Sequence, residues 1–191
     1  MSADYQMQLP PQTLDNADAK AKPLLEQANA KLGFVPNMYE GMAKAPGVLD
    51  TYLHGYELFR EDSGFTPPEQ EVVFLTISRL NGCSYCMSAH SMLGEKMSQV
   101  PAEVLEAIRN DQPIPDERLA ALAKFTKVMF ESRGKPTPSD VEAFLDAGFE
   151  EQLVLQIVLA LAVKTLSNYS NHINHPEVDE AFAGHAWKPA E

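Results

Sequence analysis

Two cysteines, Cys83 and Cys86, stand three positions apart with Ser84 and Tyr85 between them, and His90 follows four residues after the second. Glu71 lies upstream, separated from Cys83 by eleven residues. A thiol does its chemistry as a thiolate, so what matters is whether the chain can lower a thiol pKa. Gly82 directly precedes Cys83 and is a helix breaker, which predicts a new helix beginning at the cysteine pair. Unpaired N–H groups and the helix dipole at such a start favour an anion. Cys86 and His90, four apart, share one helical face, where the imidazole can take the thiol proton or face the thiolate as a cation. Glu71 falls on a stripe with Leu75, Ser78 and Gly82, so antiparallel packing of the two helices would bring its carboxylate to His90 and set the imidazole tautomer.

The cysteine pair has other uses. These are the only two cysteines in the chain, and a bridge over so short a loop restricts the unfolded state little, so stapling is a poor reason for them. Covalent haem attachment needs a histidine immediately after the second cysteine, and Met87 is there instead. A zinc site could combine Cys83, Cys86 and His90 with Glu71, His172 or His175, although no second ligand pair stands at strong spacing. A thioredoxin-like fold would place the pair after a strand, whereas the segment before it reads as helix. Redox catalysis, redox sensing and metal binding therefore all remain open on residue types alone. Each of Glu71, Cys83, Cys86 and His90 also has a structural reading, as core residue or buried ion-pair partner, but their joint spacing favours function.

The surrounding chain reads as all-α. Helical periodicity covers Asp15 to Leu32, a segment opening at Pro46, and a helix launched by Thr66-Pro67-Pro68-Glu69 and running to Asn81. Further helices follow from Ser84 to Met97, Pro101 to Asn110, Asp116 to Arg133, Pro138 to Ala147 and Glu150 to Ile173. Residues 1–13, with Pro10-Pro11, read as an N-terminal arm, and 14–191 as a single helical domain. An echo superposes Glu69-Gln70 on Glu151-Gln152, Val72 on Val154 and His90 on His172, with Thr165 and Asn168 where cysteines would stand.

The Glu71, Cys83-Ser84-Tyr85-Cys86, His90 pattern resembles the active-site signature of the AhpD-like alkylhydroperoxidases, in the carboxymuconolactone decarboxylase superfamily. Leu32-Gly33-Phe34-Val35-Pro36-Asn37, Ala45-Pro46-Gly47 and Asn171-His172-Ile173-Asn174-His175 are similar to its peroxidase-related branch. The resemblance implies a compact all-α domain assembled into trimers or hexamers. It implies that Cys86 attacks a small peroxide, that Cys83 closes a disulfide on it, and that an external dithiol reduces the pair. It further implies that Glu71 and His90 relay the proton and that the redox-active disulfide stands in place of any cofactor or metal. Tyr85 occupies the position between the cysteines where well-known members carry histidine, and it cannot act as a base near neutral pH. The superfamily also implies a contrasting possibility, acid–base decarboxylation of a lactone acid without thiols.

Composition narrows the partners. A formal net charge of −12 disfavours nucleic acid and anionic membrane surfaces. Leu153 to Leu166, interrupted by Gln156 and Lys164, is expected to be a buried core helix rather than a membrane span. The first residues lack a signal-peptide pattern, so the expected compartment is the cytoplasm. Tyr85 and Met87 are the candidate substrate-pocket residues, although Met87, like Met92 and Met97, is expected to pack in the core, and His54 is expected to pack within its helix. His172 and His175 are expected to cap the long helix, where a cation suits the dipole.

Overall fold

The computed structural model describes residues 4–189, which contain helices and no strand. The helices are α1 (Lys22–Leu32), α2 (Asn37–Met42), α3 (Pro46–Asp62), α4 (Pro67–Leu80) and α5 (Ser84–Lys96), then α6 (Ala102–Arg109), α7 (Glu117–Glu131), α8 (Pro138–Asp146) and α9 (Leu153–Asn174). A 3₁₀ turn, Glu180–His185, follows.

Helix α4 is the central element. Every residue from Glu69 to Ser78 is buried, because α3, α5, α6, α7 and α9 all pack against it. Its start follows the chain locally: prolines occupy the first turn, and the Glu69 carboxylate accepts the Thr66 N–H at 2.8 Å. The other Glu69 oxygen receives Arg118 Nε at 2.8 Å, tying the beginning of α4 to α7. Around this axis Phe59, Phe74, Phe125, Phe144, Leu75, Ile77 and Leu122 are fully buried. A run of rings continues the core toward α8, with Phe125–Phe144 centroids 4.4 Å apart and Phe144–Phe149 centroids 4.6 Å apart.

Two elements depart from the sequence reading. Helix α1 begins at Lys22 rather than Asp15. Before it the Asp18 carboxylate takes the Lys20 and Ala21 N–H groups in a turn, and Pro23 can stand in a first turn but not mid-helix. Helix α2 was not legible at all: at six residues it is too short to show a period, and it is anchored from afar by the Asp179 carboxylate on the Asn37 N–H, 3.1 Å. The proposed echo of α4–α5 in the last helix also fails. α9 is continuous over 22 residues, with no break to match the one at Gly82.

That break shapes the site. Gly82 adopts φ +66°, a left-handed conformation, and the Cys83 N–H reaches back to Ser78 O at 2.9 Å, closing α4 and turning the chain into α5. α9 lies against α2, α3, α4, α5 and α7, so although it is long and apolar enough to cross a bilayer, Ile157, Ala160, Val163, Lys164 and Ser167 are buried inside the protein. The segment before α1 runs along the domain, with Met7 N–H on Ile173 O (2.9 Å) and Gln12 N–H on Glu40 O (3.1 Å).

Because nothing crowds Gly82, replacing it tests backbone conformation alone. Gly82→Ala is expected to lower unfolding stability by about 1 kcal/mol in urea titrations, and Gly82→Asn by less.

Candidate active site

Cys83 is the N-cap residue of α5, and Cys86 lies in the first turn. Both are free thiols and both are buried, at 1% and 2% exposure. The hairpin of α4 and α5 brings Glu71 to His90: Glu71 Oε2 and His90 Nδ1 are 2.8 Å apart, and both side chains are buried. The second Glu71 oxygen receives Arg60 Nη2 at 2.5 Å and the Ser98 hydroxyl at 3.3 Å. Arg60, in α3, is held in turn by Tyr56 OH at 2.8 Å and Gln70 Oε1 at 3.1 Å.

These contacts assign protonation states. Burial pushes the Glu71 carboxyl up, but the charges and hydrogen bonds of His90 and Arg60 outweigh it and hold it below the usual carboxylate range. An ionised Glu71 accepts from Nδ1–H, which leaves the other His90 nitrogen, Nε2, with its lone pair. Burial together with the Lys164 charge keeps the His90 pKa below its ordinary value, so the ring is neutral near pH 7 and is suited to be a base.

The two sulfurs differ. For Cys86, burial opposes ionisation, yet the Cys83 S–H bond, the Lys164 charge, His90 in its protonated form and the Ser167 hydroxyl together bring its pKa well below that of an ordinary thiol. Cys83 is pushed up, by donating that bond to Cys86 and by burial. Asn171 Nδ2, on α9, reaches both sulfurs, 3.3 Å from Cys86 and 3.5 Å from Cys83.

They also open onto different spaces. Cys86 and His90 line a cavity of about 290 Å³ walled by Phe34, Tyr39, Tyr52, Tyr56 and Phe182. Cys83 lines a separate, more polar cleft with Asn171, His172 and His175. Tyr85 borders both, with its hydroxyl hydrogen-bonded to the Asp179 carboxylate. Met87 does not line the cavity: it is fully buried in the core, and Met92 and Met97 line the cavity instead. Met87 stands about 100° round the helix from Cys86 and about 60° beyond His90, on the side that meets the core, whereas Tyr85, the same step the other way, lines the cavity.

Of the remaining histidines, His54 is exposed on α3 rather than packed, and borders neither space. His175 is the C-cap of α9 at φ +50°, and His172 stacks on Tyr169. Among the described residues no group of three or more His, Cys, Asp or Glu side chains is arranged to hold a metal ion. Sequence reasoning missed Arg60, Asn171 and Lys164. The only available signal was a polar residue in an apolar helix, and Lys164 gave one.

Residues 46–127, which carry α3 to α7 and every member of the Glu71–Cys83–Cys86–His90 set, match the carboxymuconolactone decarboxylase family. That match spans less than half of the chain; the helical fold is of the AhpD-like type. The AhpD-like fold is similar to the crystal structure of an alkylhydroperoxidase AhpD core, a peroxidase-related protein from Ralstonia eutropha JMP134, at TM-score 0.79 and 22% identity over 94% of this chain and 97% of that one. A peroxidase-related protein from Silicibacter sp. TM1040 gives TM-score 0.77 and 19% identity, covering 96% of both chains. The debrominase Bmp8, in complex with 2,3,4-tribromopyrrole, gives TM-score 0.74 and 15% identity, covering 96% of this chain and 97% of that one. No curated protein matches the chain.

The pH dependence of the Glu71 cluster is set by the direction of its shift. A carboxyl depressed in the folded state adds stability above its ordinary pKa of 4.5, and that stability is lost as pH falls through the lower folded value. Glu71→Gln, which leaves Arg60 without its counter-charge, is expected to lose about 3 kcal/mol at pH 7. The gap to the unsubstituted protein should narrow as pH is lowered from 6 to 3, followed by thermal unfolding.

Proposed function

We propose that the protein is a cytoplasmic thiol-dependent peroxidase that reduces small alkyl hydroperoxides through a Cys86/Cys83 disulfide cycle, with an external dithiol as reductant. The observation that carries this reading is the shared cavity: the low-pKa thiol and a neutral, carboxylate-backed imidazole face one apolar space of a size for a small organic molecule.

In the proposed cycle His90 Nε2 carries the Cys86 proton out to solvent, leaving a resting thiolate beside a neutral imidazole, and the thiolate attacks the terminal peroxide oxygen. The O–O bond breaks, its electron pair leaves on the alkoxide, and His90 returns a proton from solvent to give an alcohol. Cys86 is then a sulfenic acid. The Cys83 sulfur attacks it, water leaves, and a disulfide forms. A dithiol supplies two electrons and two protons to restore both thiols. Tyr85, tied to Asp179, takes no part as a base; it walls the cavity beside Cys86.

A second reading has a specific observation behind it. The aromatic walls beside Cys86, together with the likeness to a debrominase, favour reductive removal of halogen from a small aromatic compound. There the thiolate would take the halogen, the carbon would take a proton, and Cys83 would expel halide to form the same disulfide. Both readings leave the thiols oxidised, whereas lactone-acid decarboxylation would not use them.

We also propose self-association, as trimers or hexamers. The outward face of α9 carries exposed Leu155, Val158, Tyr169 and Ile173, an apolar stripe suited to burial against another copy.

Cumene hydroperoxide with dithiothreitol is the direct test. Cys86→Ser is expected to abolish alcohol formation, while Cys83→Ser should give one turnover and then stop for lack of a disulfide partner. Peptide mass spectrometry should find a Cys83–Cys86 bond after peroxide. Full activity in Cys86→Ser would overturn the reading, and bromide release from 2,3,4-tribromopyrrole without peroxide turnover would move it to the second.

A further inference from the structure

Lys164 is a fully buried charged side chain that the cycle above does not use. It sits in the middle of α9 and is fully buried, and its Nζ has no hydrogen-bond acceptor among the described residues. Removing an ammonium from water without an acceptor or counter-charge costs several kcal/mol. Its one defined neighbour contact is the face of Phe74, with Nζ 5.3 Å from the ring centre, a cation–π interaction that offsets only part of that cost.

The position in α9 shows what else it serves. Lys164, Ser167 and Asn171 follow one another at helical spacing on the buried side of the helix. At one end of this stripe Asn171 touches the Cys86 sulfur at 3.3 Å. At the other, the Phe74 ring under Lys164 lies 5.0 Å from the His90 ring. The ammonium thus shares the Phe74 ring with His90 and a buried helix face with the residue that touches Cys86, and it does not line the cavity.

A charge count points the same way. Around the Phe74–His90 pair Arg60 and Lys164 contribute two positive charges and Glu71 one negative, so one positive charge is unbalanced there while both thiols are protonated; the buried carboxylate of Asp179 is taken up by Tyr85 and the Asn37 N–H. The remaining titratable groups around Cys86 are Tyr39 of α2, Tyr52 and Tyr56 of α3, and Tyr85, Cys83 and His90. Burial pushes the tyrosines and Cys83 upward and His90 is neutral, so none supplies the missing anion.

We propose that the Lys164 ammonium is the built-in counter-ion of the Cys86 thiolate, making Lys164 a positioning residue that keeps the attacking sulfur ionised. It rests on Cys86 being the attacking sulfur. Ionising Cys86 completes two positive and two negative charges in one dry cluster. The role also explains the division of labour in the pair: Cys83 sits at the polar cleft with its proton retained, and Cys86 meets the buried side of α9 that carries the ammonium. When a reductant opens the disulfide at Cys83, the Cys86 thiolate leaves into a charge environment already made for it.

The test reads thiol ionisation without any substrate. In a Cys83→Ser background, the rate of Cys86 alkylation by iodoacetamide is measured from pH 4 to 10, with and without Lys164→Met. Lys164→Met should raise the midpoint by a pH unit or more, slowing alkylation about tenfold below both midpoints. Methionine nearly matches lysine in volume and removes a buried charge, so thermal stability should hold or rise; Lys164→Gln is the second variant if the first does not fold. In the two-thiol protein, peroxide turnover lost through Lys164→Met should return as pH is raised. An unchanged midpoint, or a Cys86 midpoint in the lysine-containing protein no lower than that of an ordinary thiol, would overturn the proposal. A shifted midpoint without turnover of any peroxide would leave the counter-ion role standing and remove the peroxidase reading instead.

Discussion

The site is organised around one buried carboxylate. Glu71 joins Arg60 of α3 to His90 of α5 across α4, and Ser98, in the loop after α5, adds a third hydrogen bond. A carboxylate this deep is tolerable only because every strong acceptor direction is used by a charged or polar donor. Its ionisation then decides the tautomer of His90, and the tautomer decides which ring nitrogen is free. The hairpin at Gly82 must hold its register for these contacts to form, since a shift of one residue along α5 would carry His90 off the Glu71 face.

Separating the two sulfurs by environment is the second consequence of the packing. The thiols are three residues apart on one helix start, yet one looks into an aromatic cavity and the other into a polar cleft. The same arrangement lowers one pKa and raises the other. A dithiol in which both members were equally acidic would place two negative charges side by side in the interior, and the asymmetry avoids this.

Around the cavity the chain is closed by elements distant in sequence. Asp179 accepts from the Asn37 N–H and from Tyr85, fixing the start of α2 and the tyrosine between the cysteines at once. Phe182, in the 3₁₀ turn just beyond, lies 6.0 Å from Tyr85 and 6.2 Å from Phe34. Arg109 bonds the backbone oxygens of His185 and Ala186, which holds this C-terminal segment against α6. The aromatic wall is thus a product of the last residues folding back over the first helices.

Helical period, the breaker at Gly82 and the cysteine–histidine spacing were all readable from the chain, because each is a property of a few neighbouring residues. They determined an all-α domain, the α4–α5 hairpin and the identity of Glu71, Cys83, Cys86 and His90 as candidates. Arg60, Asn171 and Lys164 were not readable as partners of that group. They come from α3 and α9, and no local pattern encodes which faces of separate helices meet. Met87 packed in the core, and its alternative place in the pocket fell away because its neighbour Cys86 is turned about 100° from it on the helix. Lys164 was visible only as an interruption of an apolar run. Tertiary packing turned that interruption into a fully buried cation over the Phe74 ring, because which helix faces meet is decided by the fold and not by the local sequence.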